Sequence, residues 1–183
     1  MPYCIAIDSP VGPLAITESD DAIVAVGWGN HAGSEATPLL AEARRQLAAY
    51  FERRLTSFDL PLRPAGSAFE QRVWAAMRQI PHGQTRSYGE LAMEIGSAPR
   101  AIGRACGKNP IPIMIPCHRV LARSGLGGYS GGAGLETKRA LLALEGGAPA
   151  PAHVSRNSAV HSAALSEPGP KAEHAALVRP TSA

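Results

Sequence analysis

The sequence predicts a mixed α/β (α+β) fold in two parts. A small N-terminal subdomain of sheet plus helix packs on a mainly helical C-terminal subdomain that contains a helix-turn-helix. Three observations carry this expectation. Short β-type runs crowd into the first 28 residues, split by turn-forming residues. Capping-box patterns at Ser67–Glu70 and Ser87–Glu90 open helices further along. A glycine stop at Gly96, followed after Ser97 and Ala98 by Pro99, joins two of the later helices through a tight turn. The expected boundaries are 1–62 for the supporting subdomain, 63–147 for the helical one and 148–183 for a disordered tail.

The N-terminal part follows from its runs and breakers. Tyr3–Ile7, Leu14–Thr17 and Ile23–Trp28 read as strands. The turn-rich Asp8–Pro13 and the acidic Glu18–Asp21 separate them. Thr37 can cap a following helix and Pro38 suits its first turn. Leu40, Ala43, Leu47, Tyr50 and Phe51 fall on one face of that helix, while Arg44, Arg45, Arg53 and Arg54 lie off it as a solvated surface. Nothing here suggests chemistry, so the expected role is support. Pro61, Pro64 and Gly66 mark the boundary.

In the second part, Phe69, Val73, Trp74 and Met77 make a core stripe on a helix reaching about Gln79. The Ser87 helix runs through Leu91, Ala92 and Ile95. The Pro99 helix, to about Lys108, is rich in small residues, among them Ala101, Gly103 and Ala105. Leu126–Gly132 is a glycine-rich loop without the lysine of a phosphate-binding loop. A last helix, Leu135 to Glu145, stops at Gly146. Beyond it the composition turns to Ala, Pro, Ser and His without periodicity.

Composition narrows the function classes. The net charge of +3 permits nucleic-acid binding without demanding it, so any attraction to phosphates must come from a local basic surface. The three cysteines, at 4, 106 and 117, are odd in number and irregular in spacing, which argues against a disulfide framework. The first 16 residues carry Asp8 and prolines and do not read as a secretory leader. No apolar run approaches the ~20 residues of a membrane span. These features predict a cytoplasmic protein with no membrane contact. Cys4, His31 and His82 lack paired-ligand spacing, so no metal is expected.

The chemistry concentrates in Asn109–Val120. Prolines at 110, 112 and 116 exclude a helix interior or a central strand. The segment reads as a stiff, extended, buried run that delivers Cys117 beside His118. A thiolate is the nucleophilic form of cysteine, and a neighbouring base raises its share. Taken alone, such a pair is more often a small buried hydrophobe next to a satisfied core histidine.

The wider pattern decides between these. Pro116-Cys117-His118-Arg119-Val120, preceded by Gly107-Lys108-Asn109-Pro110 and followed by Gly127-Gly128-Tyr129-Ser130-Gly131-Gly132, resembles the O6-alkylguanine-DNA alkyltransferases, also called methylated-DNA–protein-cysteine methyltransferases. The likeness runs from about Tyr3 to Gly146. It implies DNA repair by direct reversal. An alkyl group passes irreversibly, once per molecule, from guanine O6 (O4-alkylthymine being a further candidate) to Cys117, after the nucleotide is flipped out of the duplex.

The resemblance also implies residue roles. Cys117 is the acceptor, His118 the base acting through a water, and Glu145 the carboxylate that orients the histidine. Asn109 ties the helix-turn-helix to the active segment, and Tyr88 contacts the flipped base and assists the leaving guanine. Arg100 fills the gap left in the duplex, while Ala101 and Ala105 allow close approach in the minor groove. Tyr129, Ser130 and Gly131 form the base pocket, and Lys138 supports it. Arg119 is structural and Cys106 is not an acceptor. Arg104 departs from the small residue common among relatives. The expected partner is double-stranded DNA containing O6-alkylguanine, bound by a monomer without cofactor or metal.

Two other readings compete. A non-catalytic protein that recognises alkylated DNA would lack the acceptor cysteine, which is present here. A cysteine hydrolase would need an acyl pocket, and the helix-turn-helix argues against it.

Overall fold

The computed structural model describes residues 2–30, 33 and 36–146. The expected tail at 148–183 lies outside the described residues.

Strands β1 (Tyr3–Ile7), β2 (Leu14–Ser19) and β3 (Ala22–Trp28) form an antiparallel meander in sequence order. β2 runs two residues further than the sequence suggested. The reversal is confined to Asp20 and Asp21, whose φ of 49° and 58° are left-handed values that aspartate tolerates. Ile5, Leu14, Ile16 and Ile23 point inward beneath helix α1 (Pro38–Phe51). Thr37 caps α1 by accepting the Leu40 amide at 3.1 Å, and its hydroxyl donates to the buried Glu18 of β2. The helix start is thereby fixed to the sheet.

The second part begins at α2 (Ala68–Arg78), opened by a complete Ser67–Glu70 capping box. α3 (Tyr88–Ile95) has the same device in Ser87 and Glu90 and ends at Gly96, which takes the left-handed φ of 70° that a C-cap requires. α4 (Pro99–Gly107) follows after Ser97 and Ala98. Trp74 of α2 donates its indole N–H to the Ala105 carbonyl at 2.9 Å, pinning α4 onto α2. A short parallel pair, β4 (Arg86–Ser87) with β5 (Val120–Leu121), joins the entry of α3 to the exit of the Cys-His-Arg segment. Helix α5 (Leu135–Leu144) ends on Glu145 as its C-cap.

The segment before Cys117 differs from expectation. It is buried, yet folded into a tight turn rather than extended. The Ile115 amide bonds the Ile111 carbonyl at 2.9 Å, and Pro112 bridges to Ile115. Ile113 turns the chain at φ 73°, a conformation that costs a β-branched residue about 1–3 kcal/mol. The prolines restrict φ, but burial of Ile111, Ile113 and Ile115 selects the turn. β3 holds it from the other side, where the Val26 amide donates to the Pro110 carbonyl at 2.8 Å.

Candidate active site

Cys117, His118 and Arg119 form a single 3-10 turn, all three buried. Cys117 is 8 % exposed and lines a cleft of about 860 Å³ between β3, α4 and the glycine-rich loop. Burial pushes its thiol up, because a thiolate loses hydration there. The Asn109 side chain, the Lys138 charge and the nearby Tyr129 hydroxyl pull it back down.

His118 is fully buried. Its Nε2 lies 2.8 Å from Glu145 Oε1, and its Nδ1 has no hydrogen-bond partner. Glu145 caps α5 with its side chain turned inward. Burial alone would push that carboxyl up, but hydrogen bonds from His118 and Arg119 hold it well below the usual carboxylate range. An ionised carboxylate can only accept, so Nε2 carries the proton and Nδ1 is a free base. Burial keeps His118 lowered, and so neutral, against the raising effect of Glu145.

Arg119 pairs internally, as its sequence setting suggested. Its Nε and Nη2 grip both Glu145 oxygens at 2.9 and 2.8 Å, and Nη1 donates to the Ile80 carbonyl at 2.6 Å. Such a fork fixes the carboxylate plane. Tyr50 of α1 is the partner that the sequence did not reveal. Its phenol donates to Glu145 Oε1 at 2.7 Å, across 95 residues of sequence. It sits within an ordinary apolar stripe, and no local signal distinguishes it from core.

Asn109 lies beside the turn, donating to the Ile115 carbonyl at 2.8 Å and accepting the Ile111 amide at 3.0 Å. Tyr88, at the first position of α3, donates to the Gly128 carbonyl at 3.4 Å. Its phenol is pushed up to about 12, first by burial and then by the two nearby thiols. Lys138 is 0 % exposed and reaches the carbonyls of Val120, Leu126 and Gly128 at 2.6, 2.6 and 3.2 Å. It anchors the glycine-rich loop from below, with its ammonium lowered to about 8 by burial.

That loop closes the cleft. Tyr129 is half-buried, Ser130 is exposed, and Gly131 packs so tightly that a Cβ there would meet the Trp28 ring at 2.6 Å. Trp28, whose indole stands edge-on to Tyr129 at 6.4 Å, is a wall residue that the strand pattern alone could not announce.

On α4, Arg100 and Arg104 are exposed at the cleft mouth and Ala101 is partly exposed. Ala105 differs from expectation. It is 2 % exposed and packs inward under Trp74, so it offers no surface to a partner. Cys106 also borders the cleft, but burial pushes its thiol up to about 12, and its sulfur rests 3.4 Å from Met77 Sδ. Among the described residues, no three His, Cys, Asp or Glu side chains gather as a metal site. No helix among them is long and apolar enough to cross a membrane.

A buried thiol, an imidazole with one free nitrogen and a carboxylate fixing the other are the groups that a cysteine nucleophile uses, and here they stand on a helix-turn-helix frame. Family models identify the frame. Residues 3–64 match the 6-O-methylguanine DNA methyltransferase ribonuclease-like domain, and residues 68–147 match the DNA binding domain of the same enzymes. The chain belongs to the 6-O-methylguanine DNA methyltransferase family. It is 45 % identical over 154 residues to the methylated-DNA–protein-cysteine methyltransferase of Mycolicibacterium paratuberculosis, covering 76 % of this chain and 89 % of that protein. The crystal structure of Mycobacterium tuberculosis O6-methylguanine methyltransferase superposes with a TM-score of 0.70 at 43 % identity, covering 82 % of this chain and 96 % of that one. The M. tuberculosis OGT structure in complex with DNA gives 0.69 at 45 % identity, covering 78 % and 91 %.

Proposed function

We propose that this protein repairs DNA by direct reversal, moving an alkyl group from guanine O6 to Cys117 in a single irreversible turnover. The observation that carries this reading is the free Nδ1 of a buried, neutral His118 whose other nitrogen is committed to an ionised Glu145. Such a histidine can accept one proton, and the thiol beside it in sequence is the group that must lose one.

His118 takes the Cys117 proton through an intervening water. The thiolate attacks the alkyl carbon in line with the departing O6. The S–C bond forms as the O–C bond breaks, and the electron pair stays on the guanine. Tyr88 donates a hydrogen bond to that base through a phenol that stays protonated at neutral pH, and the departing guanine anion takes its proton from water. Asn109 keeps the turn under Cys117 closed. Tyr129, Ser130 and Gly131 hold the flipped base, and Lys138 holds their loop. The product thioether has no leaving group here that would regenerate the thiol, so one molecule repairs one lesion.

The partner is double-stranded DNA carrying O6-alkylguanine, met through the minor groove by α4. Arg100 occupies the gap and Ala101 lies at the approach, with Arg104 adding positive charge beside them. Residues 1–62 support residues 63–147, which do the work as a monomer in the cytoplasm.

The test is mass spectrometry after mixing the protein with a duplex bearing one O6-methylguanine. One methyl on the Cys117 peptide, saturating at one per protein, is the expected result. DNA binding with no mass gain would show a recognition protein instead.

A further inference from the structure

Glu145 receives hydrogen bonds from five donors. Oε1 faces His118 Nε2, Arg119 Nη2 and Tyr50 Oη; Oε2 takes Arg119 Nε and, at 3.3 Å, the Gly83 amide. Four of these come from the C-terminal part of the chain. Tyr50 alone comes from α1, 95 residues earlier, and its side chain is 1 % exposed.

The ring of Tyr50 is held on several sides. Phe51 and Phe58 lie with centroids at 5.3 Å and His82 at 6.1 Å. A phenylalanine would fill that core equally well. The hydroxyl adds nothing to packing, and a buried hydroxyl needs a partner. Here that partner is the oxygen that orients His118.

Each donor on a carboxylate lowers its proton affinity. A more basic Glu145 would draw the Nε2 proton harder and favour the imidazolium. A carboxylate saturated with donors still fixes the ring, yet stabilises the imidazolium less. The other groups facing this network are Arg119 from the 3-10 turn, Lys138 from α5, His82 and Gly83 from the loop after α2, and Tyr129 on the cleft side. None of them makes the same contact with Oε1 except Arg119.

We propose that Tyr50 is a positioning residue for alkyl transfer. Through Glu145 Oε1 the N-terminal subdomain orients His118 and sets how readily it accepts the Cys117 proton. This rests on the alkyl-transfer reading given above.

The experiment compares full-length wild type and Tyr50→Phe in single-turnover methyl transfer from an O6-methylguanine duplex between pH 5.5 and 9. Loss of the phenol makes Glu145 a stronger acceptor, so His118 keeps its proton to higher pH. The acid limb of the rate profile should move up by about half a pH unit or more, the size expected for one lost hydrogen bond. Phe51→Leu disturbs the same aromatic cluster without touching Glu145, and should lower Tm while leaving the limb in place. Site-specific 3-fluorotyrosine at position 50 donates more strongly and should move the limb down. An unmoved limb in both Tyr50 variants would reduce Tyr50 to a core residue, even if Tm fell. Absence of methyl transfer by the wild type would instead overturn the reading on which this inference rests.

Discussion

Asn109 reaches six residues ahead to Ile115, its Nδ2 donating to the Ile115 carbonyl at 2.8 Å. The same side chain accepts the Ile111 amide, so one amide group satisfies two backbone groups of the turn beneath Cys117. The strained Ile113 sits inside this turn. Strain of that kind persists only where surrounding contacts over-determine it.

Asn109→Ala should therefore act on rate and stability together. The Ile111 amide loses its partner, at about 1–3 kcal/mol if it remains buried, while the Ile115 carbonyl keeps the Cys117 amide at 2.8 Å. Thermal unfolding should shift down by roughly 4 °C or more. Methyl transfer should slow at least about tenfold as Cys117 loses its fixed place. A variant with lowered Tm and wild-type transfer would confine Asn109 to scaffolding.

Single-turnover transfer should rise with pH in two steps, first along the acid limb as His118 loses its proton and then as the Cys117 thiolate share grows. Burial raises the Cys117 thiol above its ordinary value, so the thiolate share keeps growing past about 8.5. His118 is lowered, so it is already neutral where the thiol begins to ionise. On the alkaline side Lys138, near 8, is the first of these groups to lose its charge, which loosens the base loop and levels the rate, while Tyr88, near 12, keeps its proton far longer. A maximum below pH 8 would contradict this ordering.

Glu145→Gln should be costly for folding. The change leaves the Arg119 guanidinium, 7 % exposed at the side chain, without its counter-charge. Breaking a buried pair by removing one partner typically costs about 3–5 kcal/mol. In the wild type, the Glu145 carboxyl is lowered on folding and titrates near 4.3 when unfolded. Its contribution to stability is thus complete above that value and is lost as pH falls below it. Denaturant unfolding at pH 7 and pH 3.5 should show the gap between wild type and Glu145→Gln shrinking at the lower pH.

Gly131→Ala should distort the cleft wall, since its Cβ would lie 2.6 Å from the Trp28 ring and 2.9 Å from that of Tyr129. Trp28 cannot step aside freely, because its indole donates to the Val11 carbonyl at 3.0 Å. Transfer should fall several-fold. Adding Trp28→Phe should restore part of it, and the double-mutant cycle should show coupling of about 0.5 kcal/mol or more. Additive effects would mean that the ring and the loop do not press on each other.

Local chemistry made much of this protein legible. Ser67–Glu70 and Ser87–Glu90 form the reciprocal caps that their spacing announces, Thr37 caps α1, and Gly96 adopts the left-handed stop. What stayed hidden depends on distant neighbours. The turn at Ile113 is chosen by burial, and β4 with β5 is too short to carry a pattern. Tyr50 and Trp28 look like core and strand residues, because their partners lie 95 residues away or across the cleft. Ala105 reads like its neighbour Ala101 until Trp74 is seen to cover it. The approach of His118 to Glu145 could be inferred only from the family pattern, since 27 residues separate them and a glutamate at a helix C-terminus is otherwise unremarkable.

The contact between Tyr50 and Glu145 spans most of the folded chain, and this has a consequence during synthesis. A growing polypeptide can form the sheet and α1 before Glu145 has been made. Until then His118 lacks its orienting carboxylate and Arg119 its counter-charge. In the proposed mechanism, the network that serves the Cys117 thiol is complete only with the last helical turn. Because long-range closure comes late in folding, a chain cut short before residue 145 would carry the acceptor without the means to use it.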